Sequence, residues 1–560
     1  MKPHAMTVKR SDQVLELEIE ATLLLCENIG SSRALAVHLL IRHGEWLELL
    51  KLSCDPNNYT DAEAFADDYL VTSILQKNPR LPTGIDREEV AIAKFWEFEE
   101  RCSEANQRLE DWYKGTISVP SDVSSCLFEA QKVISQILGP LTRSKLSFAE
   151  SRMRFGPGAT TSLSGVVTQG KKYSHRPLDV TPRALAFRTF CFPEMWKQSC
   201  VNLNVRRSSK MRVVPKNAKT DRTICIEPDL NIFGQLGFGA LIREQLRIFG
   251  VDLNTQSTNQ VYASMAWELD LCTMDLSGAS DSVCREAVWF LLPYCWADVL
   301  HFFRTDYVEY EGKDVELSKW SSMGNGYTFE LETLIFLGII TAACRQLELP
   351  TDWVTAYGDD LIFPEAARDL VQRTLDFLGF KVNGDKTFGK GVFHESCGTD
   401  WFEGKNVRPI YFRSESDDFP TTVYTMANSL TTWALRFGGV EKIRDKRILP
   451  SWLRCFTALH RKDRHHIPYG YGDVGFYDSL DRSCPSTHDR DSRGWNGWNF
   501  LYRKVPPLKK RISEEGSYLS FLNGNSSEFS LARESLRGRF GPAVTKKGYS
   551  LEWPHLGPWA

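Results

Sequence analysis

Three acids and one basic stretch are the residues of this sequence whose types and spacing could do chemistry. The segment "WVTAYGDDLIF", residues 353–363, sets Asp359 and Asp360 side by side behind Gly358 and between two apolar runs. Asp favours turns, so a surface bend is the plain account of the pair. Upstream, "LDLCTMDLSGASDS", residues 269–282, alternates apolar and other positions until Asp275, where a glycine-containing turn begins. An acid at the end of a buried strand is costly unless it is paired or meets a cation. If the two strand ends are neighbours, Asp275, Asp359 and Asp360 form an all-oxygen site of the kind Mg²⁺ takes, with waters and substrate phosphates completing the shell. Two such ions roughly 4 Å apart can activate an attacking hydroxyl and stabilise a departing pyrophosphate. Spacing alone does not pair the strands. The chain holds its own control: "YGYGDVG", residues 469–475, repeats Tyr-Gly-Asp but has Val474 in place of the second acid, and reads as a structural turn.

The basic stretch is "VRRSSKMRVVPKNAKTDRTIC", with Arg206, Arg207, Lys210, Arg212, Lys216, Lys219 and Arg222 against a single acid, Asp221. Guanidinium forks and ammonium charges suit phosphate oxygens. A solvated loop explains such a run equally well. Two details favour phosphate: Met211, Val213 and Val214 alternate with the cations as on a strand, and "ICIEP" follows as a buried strand that would hold them in place.

These residues need elements to position them. Val, Thr, Leu, Ile and Phe on either side of Tyr357–Asp360 predict two short strands, and Gly358 can take the positive φ of a tight hairpin. The first ~145 residues read as mainly helical from their apolar spacing. In "DREEVAIAKFWEFEERCSEANQRLEDWY", Asp86 caps the helix and Glu88 and Glu89 complement its dipole. That region carries no functional signal of its own. Glycine-rich turns appear at "RFGPGATTSLSG", then the basic stretch, then strands alternating with helices; beyond about residue 405 the chain is loop-rich with many Trp, Tyr, Arg and Pro. The reading is α+β, divided as 1–145, 146–260, 261–405 and 406–560.

Composition bounds the rest. The 560 residues are 42% apolar and 25% charged, with a formal net charge of −3, so any nucleic-acid surface must be local. No stretch approaches the roughly 20 apolar residues of a membrane span; Thr333–Cys344 reads as a buried helix. Acidic residues interrupt the start, which has no signal-peptide core, so a cytoplasmic protein is expected. Fourteen cysteines without a CxxC pair give a structural zinc site no support. Cys295 and Cys344 read as buried thiols, and His465-His466 as part of a solvated loop.

Taken in order, these segments resemble the replicases of positive-strand RNA bacteriophages, the leviviruses, over roughly residues 150–475. "VPKNAKTDR" with "IEPDLNIFGQLG" is similar to the family's phosphate-binding fingers motif and "DLSGASDS" to its first palm motif. "SSMGNGYTFELETLIF" resembles its template- and ribose-facing loop and helix, "YGDD" its metal-binding hairpin, and "GDKTF" and "HESCGTDWFEG" the two motifs that follow. The resemblance implies a right-hand polymerase: fingers at 146–260, palm at 261–405, thumb and C-terminal region at 406–560, behind a helical N-terminal region. It implies RNA-directed RNA polymerase activity: copying of a single-stranded RNA template, with nucleoside triphosphates added to nascent RNA and pyrophosphate released. Asp275, Asp359 and Asp360 would hold two Mg²⁺ ions, with Mn²⁺ or Ca²⁺ as substitutes. Lys216, Lys219 and Arg222 would hold the triphosphate, and Lys386 would be general acid to pyrophosphate, or else a surface lysine beside Asp385. Gly324 and Gly326 would make a flexible loop that lets the template backbone approach, with Asn325 and Thr328 hydrogen bonding to ribose or base. Two departures from the wider polymerase class stand out: Glu332 where an Asn often follows that Thr by four positions, and Ser280 where a second acid usually falls. Asp281, one further, is the expected reader of the ribose 2′-hydroxyl. Host elongation factors Tu and Ts and a ribosomal RNA-binding protein are implied partners, in the cytoplasm of an infected bacterium, with no membrane. The competing readings are a reverse transcriptase, a two-metal nuclease and a non-catalytic RNA-binding scaffold.

Overall fold

Polar caps set where three of the early helices begin. The computed structural model describes residues 4–165, 167–186, 202–413, 416, 418–437, 445–483, 490–491, 494–495, 498–511, 514–522 and 533–550. Its first helices are α1 (His4–Ile29), α2 (Ser32–His43), α3 (Trp46–Lys51) and α4 (Ala62–Ser73). The Ser31 hydroxyl accepts from the Ala34 amide and Asp61 from the Ala64 amide, each satisfying a donor that the helix itself leaves unpaired. The long α5 (Arg87–Tyr113) starts at Asp86, whose carboxylate accepts from the Glu89 amide at 3.0 Å, the cap the sequence predicts. Then come α6 (Ser121–Leu138) and α7 (Arg143–Arg152).

The centre is mixed helix and sheet. The basic stretch forms the hairpin β1 (Ser208–Val214) and β2 (Arg222–Ile226), followed by α8 (Asp229–Phe249) and α9 (Ser257–Met265). Next are β3 (Leu271–Met274), α10 (Arg285–Leu291), α11 (Tyr294–Phe303) and the hairpin β4 (Tyr307–Tyr310) and β5 (Lys313–Glu316). After these come α12 (Thr328–Gln346), β6 (Thr355–Tyr357), β7 (Asp360–Pro364) and α13 (Arg368–Phe377). One sheet has the order β2-β1-β4-β5 and another β3-β7-β6. Residues 333–344 lie inside α12 and are buried on all sides, as an uninterrupted apolar run requires. No described helix is long and apolar enough to cross a membrane.

Beyond residue 390 a meander of β8 (Phe393–Ser396), β9 (Thr399–Phe402) and β10 (Lys405–Asn406) leads to α14 (Phe419–Leu435) and α15 (Leu449–Ala458). Two large cores run through these elements, and they do not follow the boundary drawn at residue 145. Leu17, Val37, Phe65 and Leu70 of α1, α2 and α4 share a core with Phe393, Phe402, Val423, Trp433 and Trp452. Phe65 stacks on Phe402 at 5.3 Å, and Ser451 donates to the Ala21 carbonyl at 2.7 Å. The later part of α5 and α6 instead join the core built on α8, α12 and the β3-β7-β6 sheet. The N-terminal region is therefore divided between two cores, because apolar stripes bury wherever a complementary face exists, whatever their distance in sequence.

Two smaller readings are also corrected. Cys295 is exposed at the start of α11, while Cys344 is buried. His465 is buried, and His466 lies in a short strand paired with residues 476–477, its ring 3.0 Å from the buried carboxylate of Asp478.

Candidate active site

Strand register brings the three acids to one edge. β3 runs antiparallel to β7 with Met274 opposite Leu361, so Asp275, the next residue, leaves the strand beside Asp360. β6 and β7 pair with Tyr357 opposite Asp360, leaving Gly358 and Asp359 as a two-residue turn. Gly358 has φ +61°, and a Cβ there would come within 2.7 Å of the Phe329 ring. Glycine is thus required twice over, by backbone and by space. The turn is clamped by α12: the Gly358 amide donates to the Thr333 hydroxyl at 3.0 Å, and Tyr357 packs edge-on against Phe329.

The acids feel one another. Burial, then the charges of Asp275 and Asp360, push the Asp359 carboxyl up to about 6. Burial also raises Asp360, with Asp275 adding to it and the Cys397 amide, which donates to Asp360 Oδ1 at 3.2 Å, opposing it. Asp275 has cationic and amide company: Lys386 Nζ lies 3.2 Å from Oδ2, and Asn383 Nδ2 donates to Oδ1 at 2.9 Å. Burial disfavours the Lys386 charge, yet Glu395 and Asp275 outweigh it and hold the pKa above its ordinary value. Three carboxylates at adjacent strand ends, two of them pushed toward the neutral form, are the donor set a hard divalent cation takes. The cage is not closed: among the described residues no three acidic, thiol or imidazole groups converge tightly enough to hold an ion as they stand. Lys386, Asn383 and the Cys397 amide hold carboxylate oxygens that a cation would have to recruit.

The basic hairpin faces this edge. Lys216, Lys219 and Arg222 are exposed, and among the described residues none forms an ion pair. Crowding by protein, then the charges of Arg222, Lys94 and Lys386, lower the Lys216 pKa, with Asp275 pulling the other way. Lys219 is lowered by the same crowding, opposed by Asp385.

Other expected residues have partners inside the protein. Asp281 accepts from Lys319 at 3.4 Å; this fully buried lysine also lies 3.8 Å from Glu99 and over the Phe95 ring. The Thr328 hydroxyl donates to Ser321 at 2.8 Å, and Asn325 Oδ1 accepts from the Tyr327 amide at 3.0 Å, at the start of α12. The two glycines of the loop also meet protein. A Cβ on Gly324, at φ +113°, would overlap the Cys225 carbonyl, and one on Gly326 would come within 2.9 Å of Gln235. They allow β2 and α8 to close on the loop, so protein packing gives a reason for glycine at both positions. Sequence reading missed Lys319 and Glu99, whose charges look like solvated surface until the fold buries them. It also missed the place of Glu332, a buried acid that accepts from Ser280 at 2.8 Å and is raised by burial and then by Asp359. The turn at residues 469–475 is structural, with the Asp473 carboxylate accepting from Thr425 and Asn428 of α14.

Comparison with known proteins adds a second line. Residues 32–488 match the profile of the family described as RNA replicase, beta-chain. The RNA-directed RNA polymerase subunit beta of Enterobacteria phage SP is 37% identical over 470 residues, 82% of this chain and 78% of its own. That of Escherichia virus Qbeta is 34% identical over 528 residues, covering 90% and 83%. The RNA-directed RNA polymerase beta chain of Escherichia phage MS2 is 34% identical over 424 residues, covering 73% and 74%. The solved insertion-loop deletion mutant of the RNA-dependent RNA polymerase of a human picorbirnavirus overlays on 64% of this chain and 85% of its own at 12% identity and a TM-score of 0.35.

Proposed function

The chain belongs to the RNA replicase beta-chain family and is an RNA-directed RNA polymerase, and on that premise we propose how its residues do the work. Asp275, Asp359 and Asp360 are the metal-binding acids of a palm at 261–405, facing fingers at 146–260, with a thumb and C-terminal region at 406–560. Bound there, Mg²⁺, with Mn²⁺ or Ca²⁺ as substitutes, would supply Lewis-acid activation of the attacking hydroxyl and neutralise charge on the leaving group. The 3′-hydroxyl of the growing RNA attacks the α-phosphate of a nucleoside triphosphate and gives up its proton to solvent; the new P–O bond forms as the bond to pyrophosphate breaks. Lys216, Lys219 and Arg222 bind the triphosphate by charge-assisted hydrogen bonds. Lys386 keeps its proton while Asp275 is its partner. When Asp275 turns to another ligand, that hold weakens, and the ammonium can give its proton to the pyrophosphate oxygen as general acid. Asp281, oriented by Lys319, reads the ribose 2′-hydroxyl.

The observation that carries the reading is the β3–β7 register, which puts Asp275 beside a hairpin more than eighty residues later in the chain. The test is nucleotide incorporation by Asp359→Asn in the purified protein. Incorporation is expected to fall by at least about a hundredfold, as for loss of a group that stabilises transition-state charge, with RNA affinity retained. A variant still extending RNA at the wild-type rate would favour an RNA-binding scaffold. Preference for deoxyribonucleotides would favour a reverse transcriptase. The subunit designation of the relatives implies assembly with further chains. We propose host elongation factors Tu and Ts and a ribosomal RNA-binding protein in that role, in the cytoplasm of an infected bacterium.

A further inference from the structure

The cations before the acidic edge come from two parts of the chain, and one lies in the first 145 residues. α5 rests against the site along a single stripe. Arg87 donates to the Asn217 carbonyl at 3.3 Å and lies 3.7 Å from Asp221, both in the turn of the basic hairpin. Phe98 closes on Gly278, in the turn after Asp275, so tightly that a Cβ there would overlap its ring. Arg101 donates to the Gly379 carbonyl at 3.3 Å. Lys94 stands seven residues after Arg87, four before Phe98 and seven before Arg101. On a helix these spacings share one face, about 10 Å along the axis from Arg87 and about 6 Å from Phe98. Lys94 thus projects from the stretch of α5 between the fingers turn and the Asp275 turn.

Lys94 is exposed and, like Lys216, Lys219 and Arg222, makes no ion pair among the described residues. Its charge acts on both Lys216 and Lys219. Lys94 and its cationic neighbours repel one another, Asp275 acts against this at Lys216 and Asp385 at Lys219, and a bound polyanion relieves the repulsion further. We propose that Lys94 is a nucleotide-binding residue, holding the terminal phosphates of the incoming nucleoside triphosphate, and the pyrophosphate product, together with Lys216 and Arg222. This rests on the reading of that edge as the nucleotide site.

The test is steady-state incorporation by the full-length protein carrying Lys94→Ala or Lys94→Arg, with Arg222→Ala alongside. One exposed charge-assisted phosphate contact predicts a rise in nucleotide KM of about 3- to 10-fold for Lys94→Ala. Its kcat is expected within about twofold of wild type, with pyrophosphate inhibition weakened by a factor like that in KM and RNA affinity and thermal midpoint unchanged. Lys94→Arg keeps the charge and restores KM. If Arg222→Ala raises KM but Lys94→Ala changes neither KM nor pyrophosphate inhibition, the assignment of Lys94 is wrong and the fingers reading stands. If neither variant raises KM, both are wrong. If Lys94→Ala weakens RNA binding instead, its partner is the RNA backbone and the proposal is overturned.

Discussion

Asp359 shows what a single carboxylate costs and what it can gain. Its pKa, raised from 3.8 to about 6 by burial and then by Asp275 and Asp360, means the folded state binds this proton more tightly than the unfolded chain. The contribution to stability is complete below about pH 4 and is lost as pH climbs through 6. At neutral pH the ionised group therefore opposes folding, by about 1 to 3 kcal/mol at one pKa unit per 1.4 kcal/mol. With chelator present, Asp359→Asn should melt at a higher temperature than wild type at pH 7, with the gap closing toward pH 4. Millimolar Mg²⁺ should raise the wild-type midpoint at pH 7 and leave the variant's nearly unchanged. Calorimetry at several pH values checks both, and a variant less stable than wild type at pH 7 would remove the like-charge account. Asp359 and Asp360 by their own spacing read as a turn, and became legible as a chemical pair only beside the Asp275 segment and the resemblance to phage replicases. The partners of Asp275 were only half legible: Lys386 was named from its segment, while Asn383 carried no signal of its own.

At the scale of elements, local chemistry showed most where it acts locally. The Asp86 cap, the buried α12 and the strands flanking Tyr357–Asp360 follow from propensity and pattern. The loop before α12 does not, because its two glycines answer to β2 and α8, about ninety residues away. Gly324→Ala should therefore lower stability by more than about 1 kcal/mol, since the substitution forces a side chain into positive φ and onto the Cys225 carbonyl. Denaturant titration measures this loss. If the variant keeps wild-type stability and loses only template affinity, the glycine serves RNA after all. Helix α5 makes the same point. Its amphipathic pattern gives a helix, yet nothing in its letters says that Arg87 touches the turn of the basic hairpin, Phe98 the turn after Asp275 and Arg101 the Gly379 carbonyl.

At the scale of the molecule, the first four helices belong with the last part of the chain. Leu17, Leu25, Val37, Leu49, Phe65 and Leu70 are all buried in the core they share with α14, α15 and the 393–406 meander. At about 2 kcal/mol each, removing them exposes a face worth as much as a domain's whole net stability of roughly 5–15 kcal/mol. A chain lacking residues 1–80 should thus lose order around 393–476 although those residues are intact. Limited proteolysis would show new cleavage there, and an unchanged digestion pattern would mean that the C-terminal elements stand alone.

The sequence by itself determined which groups could do the chemistry, their order along the chain, the mixed α+β character and the likeness to phage replicases. Those are set by residue type and by spacings of one to four positions, where propensity and periodicity act. Only the tertiary structure decided that Asp275 meets the Asp359 hairpin, that Lys319 and Glu99 are buried behind Asp281, and that Lys94 faces the same edge from a helix with no chemical signature. Such meetings depend on strand register and on which apolar faces bury against each other, and these are global properties that no short stretch encodes.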